Sequence, residues 1–254
     1  MLINDYIKTR PHLYDFLKRC MRLIPSRQDI TFKIFRKISS YYGGNIVFLQ
    51  IGANDGLRSD PIREFIVRDK WKGLMIEPIP TSYELLLGNY NYLSNQELHF
   101  LNAAVSQCDE KSISFYTYDE DKMMDYSLEE KMDFLRKASF DRSHLVHFAN
   151  SKNVNPDDLI TEVNIPTVNI NHLVDDYPFL KNLNLLVIDA EGHEWIILNS
   201  IDFCMLKPDI IFYESHNLSE ETNPKNILEK NNYSLAKIGG DTIAVNRNID
   251  MEIS

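Results

Sequence analysis

The stretch NIVFLQIGANDG, residues 45–56, decides the fold. Its first seven residues are mostly apolar, as a strand buried on both faces requires. The run ends at Gly52, and a second glycine, Gly56, follows only after Ala-Asn-Asp. This is a strand running into a tight turn that opens a helix, the first unit of an alternating α/β chain. Glycine-rich loops that bind pyrophosphate offer bare amides at this point. Here Asn54 and Asp55 stand there instead. An aspartate repels a pyrophosphate and attracts an ammonium or sulfonium group. The loop therefore fits a nucleoside with a positively charged arm better than a dinucleotide.

The chain downstream repeats the unit. DPIREFIVRDK predicts a helix with Pro61 in its first turn. A short strand GLMIEP (73–78), a helix TSYELLLGNY and a third strand ELHFLNAAVS (97–106) follow. SISFYTY alternates as a strand does. The segment from Asp119 to Asn164 is polar, acidic and mostly helical in composition, so residues 107–165 read as an insertion that caps the active face. LNLLVIDAEG (183–192) is the most apolar strand of the chain. A helix HEWIILNSI, a strand PDIIFYESH (208–216) and a helix SEETNPKNILEKNN come next. The closing runs YSLAKI and DTIAVNR meet at Gly239-Gly240, a hairpin signal. The expected fold is a doubly wound parallel sheet with helices on both faces and right-handed crossovers. Its terminal antiparallel hairpin separates it from the six-strand dinucleotide fold.

Residues 1–42 read as an N-terminal helical extension ahead of a main domain, 43–254. YDFLKRCMRLI sets Phe16, Leu17, Cys20, Met21 and Ile24 on one side at helical spacing. Pro25-Ser26 breaks that helix. ITFKIFRKISSYY resumes with Phe32, Phe35 and Ile38, and Gly43-Gly44 ends it.

The 254 residues carry a net charge of −10, unevenly spread. Residues 1–40 hold nine Lys/Arg against three Asp/Glu, and the remainder eighteen against thirty-four. An acidic body excludes a nucleic-acid substrate, which needs a positive footprint. The basic extension is expected to cap the core, and it also suits a peripheral membrane surface or a glycan-assembly partner. No apolar run reaches the length of a membrane span, and the charged first twenty residues do not read as a signal peptide. Cys20, Cys108 and Cys204 fit neither a disulfide framework nor a zinc knuckle, so a cytoplasmic location is expected. Oligomeric state is left open.

Ligands of open α/β sheets bind beyond the carboxyl ends of the strands. Those ends hold Gly52 to Gly56, then Glu77-Pro78, Asn102-Ala103-Ala104, Asp189 to His193, and Glu214 to His216. Polar or small residues gather there while the strand bodies are apolar. Gly52 lets the chain turn out of its strand, and Gly56 lets a ligand approach the backbone. Glu77, 25 residues past Gly52, suits the two hydroxyls of a ribose.

FLQIGANDG, MIEPIP, LNAAVS, IPTVNINHLV and LLVIDAEGHEWIIL, in this order, resemble the FkbM family of S-adenosylmethionine-dependent methyltransferases. The resemblance covers about residues 45–216. It implies a class I methyltransferase fold with a seven-strand sheet closed by the hairpin. It also implies methyl transfer to oxygen, often on sugars or glycosylated small molecules. Gln50, Gly52, Asn54 and Gly56 fall in the family's cofactor loop, Glu77 on the ribose position, and Asn102 and Ala103 at the adenine edge. Asp189, Glu191, Gly192 and His193 fall on its acidic motif. An acidic residue is common where Gln50 stands, and Asp55 is the expected substitute for that charge.

Transfer to an alcohol needs alignment and a base. His193 and His216 are the candidate bases, with Asp189 and Glu214 as carboxylates that orient an imidazole. A divalent-metal variant would use Asp189, Glu191, Glu214 and His216. His144 and His147 are expected on a solvated helical face. The insertion's Tyr116, Tyr118, Tyr126, Phe134, Phe140 and Phe148 either stack on a sugar or form a local core. The competing readings are an NAD-dependent sugar-modifying oxidoreductase and a non-catalytic nucleotide-binding module.

Overall fold

The computed structural model describes residues 9–24, 28–93, 95–216, 218–219 and 222–251. Two helices lead, α1 (Pro11–Arg22) and α2 (Ile30–Tyr41). The expected break at Pro25-Ser26 lies outside the described residues. Asp29 caps α2, its side chain accepting from the Phe32 amide at 2.7 Å. At the other end the Gly44 amide reaches Ser39 O and the Gly43 amide reaches Ser40 O, so Gly43-Gly44 stops the helix as predicted.

The alternating units follow: β1 (Val47–Ile51), α3 (Arg63–Asp69), β2 (Lys72–Ile76), α4 (Pro80–Tyr90) and β3 (Leu98–Leu101). After an intervening segment come α8 (Leu173–Asp176), β7 (Leu185–Ile188), α9 (Glu194–Ser200), β8 (Ile210–Glu214), α10 (Lys225–Lys230), β9 (Tyr233–Ile238) and β10 (Asp241–Asn246). The sheet runs β3-β2-β1-β7-β8-β10-β9, parallel except for β10. The order reverses between β1 and β7, and β10 slots between β8 and β9, the seven-strand sheet with a closing hairpin that the family resemblance implies. Both faces are covered. Leu49, Ile51 and Leu186 pack on one side with Leu198 and Leu228, and Phe48 and Phe212 pack on the other with Phe35, Phe65 and Trp71.

Two sequence expectations need correction here. The run 97–106 is not one strand. The chain leaves the sheet at Asn102, whose side-chain amide donates to Glu77 O and Pro78 O, and Ala104–Ser106 becomes β4 of a second sheet. That sheet, β4-β6-β5, adds β5 (Glu110–Tyr118) and β6 (Ile160–Asn169). The insertion is therefore helical only between β5 and β6, as α5 (Leu128–Leu135), α6 (Arg142–Ser151) and α7 (Pro156–Leu159).

The second correction concerns α1. The apolar residues read onto one side of this helix do not form a buried stripe: Phe16 and Met21 are exposed, as is Ile24 beyond the helix end. The buried residue is Asp15, which forms a two-pronged ion pair with Arg63 at 2.8 and 3.0 Å. A buried ion pair overrides the hydrophobic pattern because either charge alone would be very costly in the interior. Among the described residues no helix is long and apolar enough to cross a membrane.

Candidate cofactor and acceptor site

Strand register builds the site. Leu101, Ile76, Ile51, Ile188 and Tyr213 lie side by side across β3, β2, β1, β7 and β8. The next residue on each strand therefore forms a row: Asn102, Glu77, Gly52, Asp189 and Glu214. Asp241 of β10 pairs with Glu214 and ends the row. Neighbours are about 4.8 Å apart, so from β3 to β7 the row extends roughly 15 Å. A cavity of about 550 Å³ opens along it, lined on the sheet side by Ala103, Glu77, Gln50, Gly52, Asp189 and Glu214. Tyr14, Lys18 and Arg22 of α1 line it from above, and Phe115, Lys137 and Phe140 of the insertion line its far end.

Gly52 turns the chain out of its strand as expected, and Gly56 has a role other than the one expected. Gly52 has φ +77°, and a Cβ there would sit 1.7 Å from Asp189 O. It lets two strand ends touch. Gly56, at φ +62°, is pressed against Leu86 and Tyr90 and does not line the cavity.

The loop amides are already spoken for. Those of Gly52 and Ala53 donate to Ile76 O, that of Asn54 to Glu77 Oε2 at 2.8 Å, and that of Asp55 to the Asn54 side chain. Gly56 donates to Ala53 O, and Leu57 and Arg58 both donate to Asp55 Oδ1. No amide from 52 to 58 is left to receive a phosphate. Asp55 is fully buried, and its second oxygen holds the Arg58 guanidinium. The expectation that Asp55 faces a cofactor charge is thus corrected: it organises the turn.

Glu77 is buried and accepts amides from Asn54 and Ile79 on its two oxygens. Burial pushes its pKa up to about 7 against the pull of those amides. Each oxygen keeps acceptor capacity beyond that amide, and Glu77 lines the cavity. Asn102 is spent on the backbone at Glu77 and Pro78 and does not line the cavity, whereas Ala103 does.

Beyond β7 the chain takes an unusual path, with Glu191 at φ +47° and Gly192 at +97°. The Glu191 carboxylate is held by Lys137 Nζ at 2.5 Å and His144 Nε2 at 2.8 Å, and Ser139 donates to its carbonyl. Burial raises its pKa, but the His144 and Lys137 contacts outweigh that and leave it lowered. His144 is therefore not on a solvated face; it ties the insertion to the acidic motif. The Glu194 carboxylate closes the turn by accepting from the Ala190 and Gly192 amides.

Asp189 opens onto the cavity on one side and is crowded by protein on the others. This crowding, followed by the nearby Glu191 charge, lifts its pKa to about 7. Glu214 rises to about 8 through burial and the charge of Asp189. His193 lines the cavity with its ring 4.4 Å from that of Phe140, and desolvation lowers its pKa to about 4. It is a neutral imidazole at pH 7. His216 is half exposed and lies outside the cavity lining, 3.2 Å from Glu214 Oε1.

The ligand set expected for a metal does not assemble. Glu191 is ion-paired and His216 lies outside. The carboxylates that converge are Asp189, Glu194 and Glu214, with oxygens within 4.8 Å, and Glu194 is committed to backbone amides. The insertion's aromatics divide. Tyr118, Phe134, Tyr126 and Phe148 form a separate small core, whereas Phe140 and Phe115, 4.8 Å apart, wall the cavity. Phe115, Arg136, Lys137 and the α1 residues escaped the sequence reading. Their positions depend on how the insertion and extension fold back.

No curated protein matches the chain. Among solved structures, the methyltransferase FkbM from Methylobacillus flagellatus is 12% identical, with a TM-score of 0.48, over 80% of this chain and 44% of that one. This chain thus spans less than half of that protein. A methyltransferase from Aquifex aeolicus described as SAM-dependent is 9% identical, with a TM-score of 0.40, over 91% of this chain and 96% of that one. TrmK from M. capricolum, solved with S-adenosyl-homocysteine, is 10% identical, with a TM-score of 0.36, over 82% and 66%. The model of the methyltransferase FkbM domain matches residues 50–239, three quarters of the chain, and the chain belongs to that family.

Proposed function

We propose that this protein transfers a methyl group from S-adenosylmethionine to a hydroxyl of a sugar or glycan, with Asp189 taking the hydroxyl proton. The observation that carries this reading is the row across the strand ends. Ala103 offers an apolar edge for adenine, Glu77 acceptors for a ribose, and the β1 end room for an amino-acid arm. The acceptor end begins at Asp189. The cofactor supplies a methyl group on a sulfonium already activated for displacement. The consumed amides of residues 52–58 argue against a pyrophosphate and so against NAD.

The protein's own part is to orient the acceptor and move one proton. Phe115 and Phe140 present an apolar wall on which the CH face of a sugar ring can stack, and Asp189 and Glu214 meet hydroxyls on the other side. A base works best with a pKa near the working pH. Asp189, near 7, meets that condition, and His193, near 4, does not. Because Glu214 feels the charge of Asp189, the two titrate as a unit. His193 then serves as a neutral wall.

The test is transfer of a labelled methyl group to a panel of glycans, with the product's O-methyl resonance read by NMR. Turnover should rise with pH through about 7 as Asp189 loses its proton. Asp189→Asn should cost about 10²–10⁴-fold in kcat, and His193→Ala much less. Label found on nitrogen or carbon, or full turnover by Asp189→Asn, would contradict the reading.

A further inference from the structure

The methionine arm of the proposed cofactor ends in an ammonium group, and the loop that lies nearest has lost its expected acid. Gln50 stands at that point, and Asp55 is turned into the protein. The structure offers another pair. Gln50 is only 4% exposed, and its Nε2 donates to Asp60 Oδ1 at 3.4 Å. A carboxylate accepts and does not donate, so this contact fixes the amide orientation. Gln50 Oε1 is left buried with no donor among the described residues. Both Gln50 and Asp60 line the cavity. A buried acceptor without a partner is uncommon and calls for a donor from outside the protein.

Asp60 is half committed. Its Oδ1 accepts from the Ile62 and Arg63 amides at 2.9 and 3.1 Å, which starts α3. Its Oδ2 meets only the Tyr90 hydroxyl at 3.3 Å. The nearest guanidinium, that of Arg63, is taken by Asp15, Gly56 O and Asn89 O. Other acids that line the cavity have a cation in contact, Asp15 with Arg63, and Asp29 and Glu64 sharing Arg22. Glu77 is occupied by two amides and sits one strand away. Among the described residues, Asp60 is the cavity-lining carboxylate near the end of β1 without a direct ion pair. Burial holds its pKa at about 6, above the ordinary aspartate value, as expected for a charge waiting for a cation.

We propose that Asp60 Oδ2 and Gln50 Oε1 together receive the ammonium group of the cofactor's amino-acid arm, so that Asp60 carries the charge that sequence reasoning placed on Asp55. This rests on the methyltransferase reading above.

The experiment is calorimetric titration with two probes. S-adenosylhomocysteine carries the amino-acid arm, and 5′-methylthioadenosine keeps the adenine, ribose and sulfur but lacks that arm. Asp60→Asn retains an oxygen to start α3, so the fold is kept. It should weaken S-adenosylhomocysteine about 10- to 100-fold, the loss of one charge-assisted hydrogen bond, and change 5′-methylthioadenosine less than about twofold. Adding Gln50→Glu to that variant should restore most of the lost affinity, since it returns an acid to the same niche. Equal weakening of both probes, or no weakening of either, overturns the assignment while leaving the cofactor reading intact. Failure of the unmodified protein to bind either probe overturns both.

Discussion

At Gly52 a single hydrogen atom decides whether two strand ends can meet. Its Cβ position falls 1.7 Å from Asp189 O, and its φ is +77°. Gly52→Ala should therefore cost about 3 kcal/mol or more in urea unfolding, from overpacking and backbone strain together. Gly56→Ala acts against the side chains of Leu86 and Tyr90, which can shift, and should cost less. Glu214 gives a prediction with a pH sign. Its folded pKa, about 8, lies above the ordinary glutamate value. The folded state thus keeps a proton that the unfolded chain releases, and stability falls as pH rises from about 4.5 to about 8. Glu214→Gln should raise Tm at pH 8 and leave it nearly unchanged at pH 4. A Tm gain of equal size at both values would show that packing, not charge, sets the effect. The row of strand-end acids was legible in the sequence because each follows an apolar run. The direction of each side chain was not. Asp55 and Asp60 are both acids of the same loop, and each holds two backbone amides on one oxygen; only the structure shows that Arg58 takes the second oxygen of Asp55 while Asp60 lines the cavity.

Elements that sequence reading treated as accessories complete the site. Helix α1 is fixed by Asp15 and Arg63, whose side chains are 7% and 3% exposed, and Tyr92 also donates to Asp15. Asp15→Ala leaves a buried guanidinium without its partner and should cost about 3–5 kcal/mol. Asp29→Ala, which removes the cap of α2, should cost about 1 kcal/mol. Urea titration of the two variants separates them, and equal losses would mean that α1 is not held by the ion pair. Why α1 was misread is physical. Helical periodicity identifies an apolar stripe, but an ion pair formed 48 residues apart in sequence has no periodic signature. The insertion was legible as a helical segment and not as the carrier of β6. Its clamp on Glu191 through Lys137 and His144 joins partners about 50 residues apart, again beyond any local pattern.

At the scale of the whole molecule, the alternation that builds a parallel sheet and the hairpin that closes it were the most legible properties. Apolar runs, turn glycines and the terminal hairpin leave few topologies open, and register then places the chemistry without further choice. The cavity is a joint product of that sheet, the extension and the insertion, so its polarity is divided: acceptors at the Glu77 end, an aromatic wall and protonatable carboxylates at the Asp189 end. The central claim is that this cavity holds an adenosyl sulfonium and not a dinucleotide. Thermal unfolding of the unmodified protein with S-adenosylmethionine, with NAD and with neither tests it directly. A ligand present at 100 times its Kd stabilises the folded state by about 2.7 kcal/mol, which for a chain of this size raises Tm by several degrees. S-adenosylmethionine should produce that rise and NAD should not; a rise with NAD alone would contradict the account.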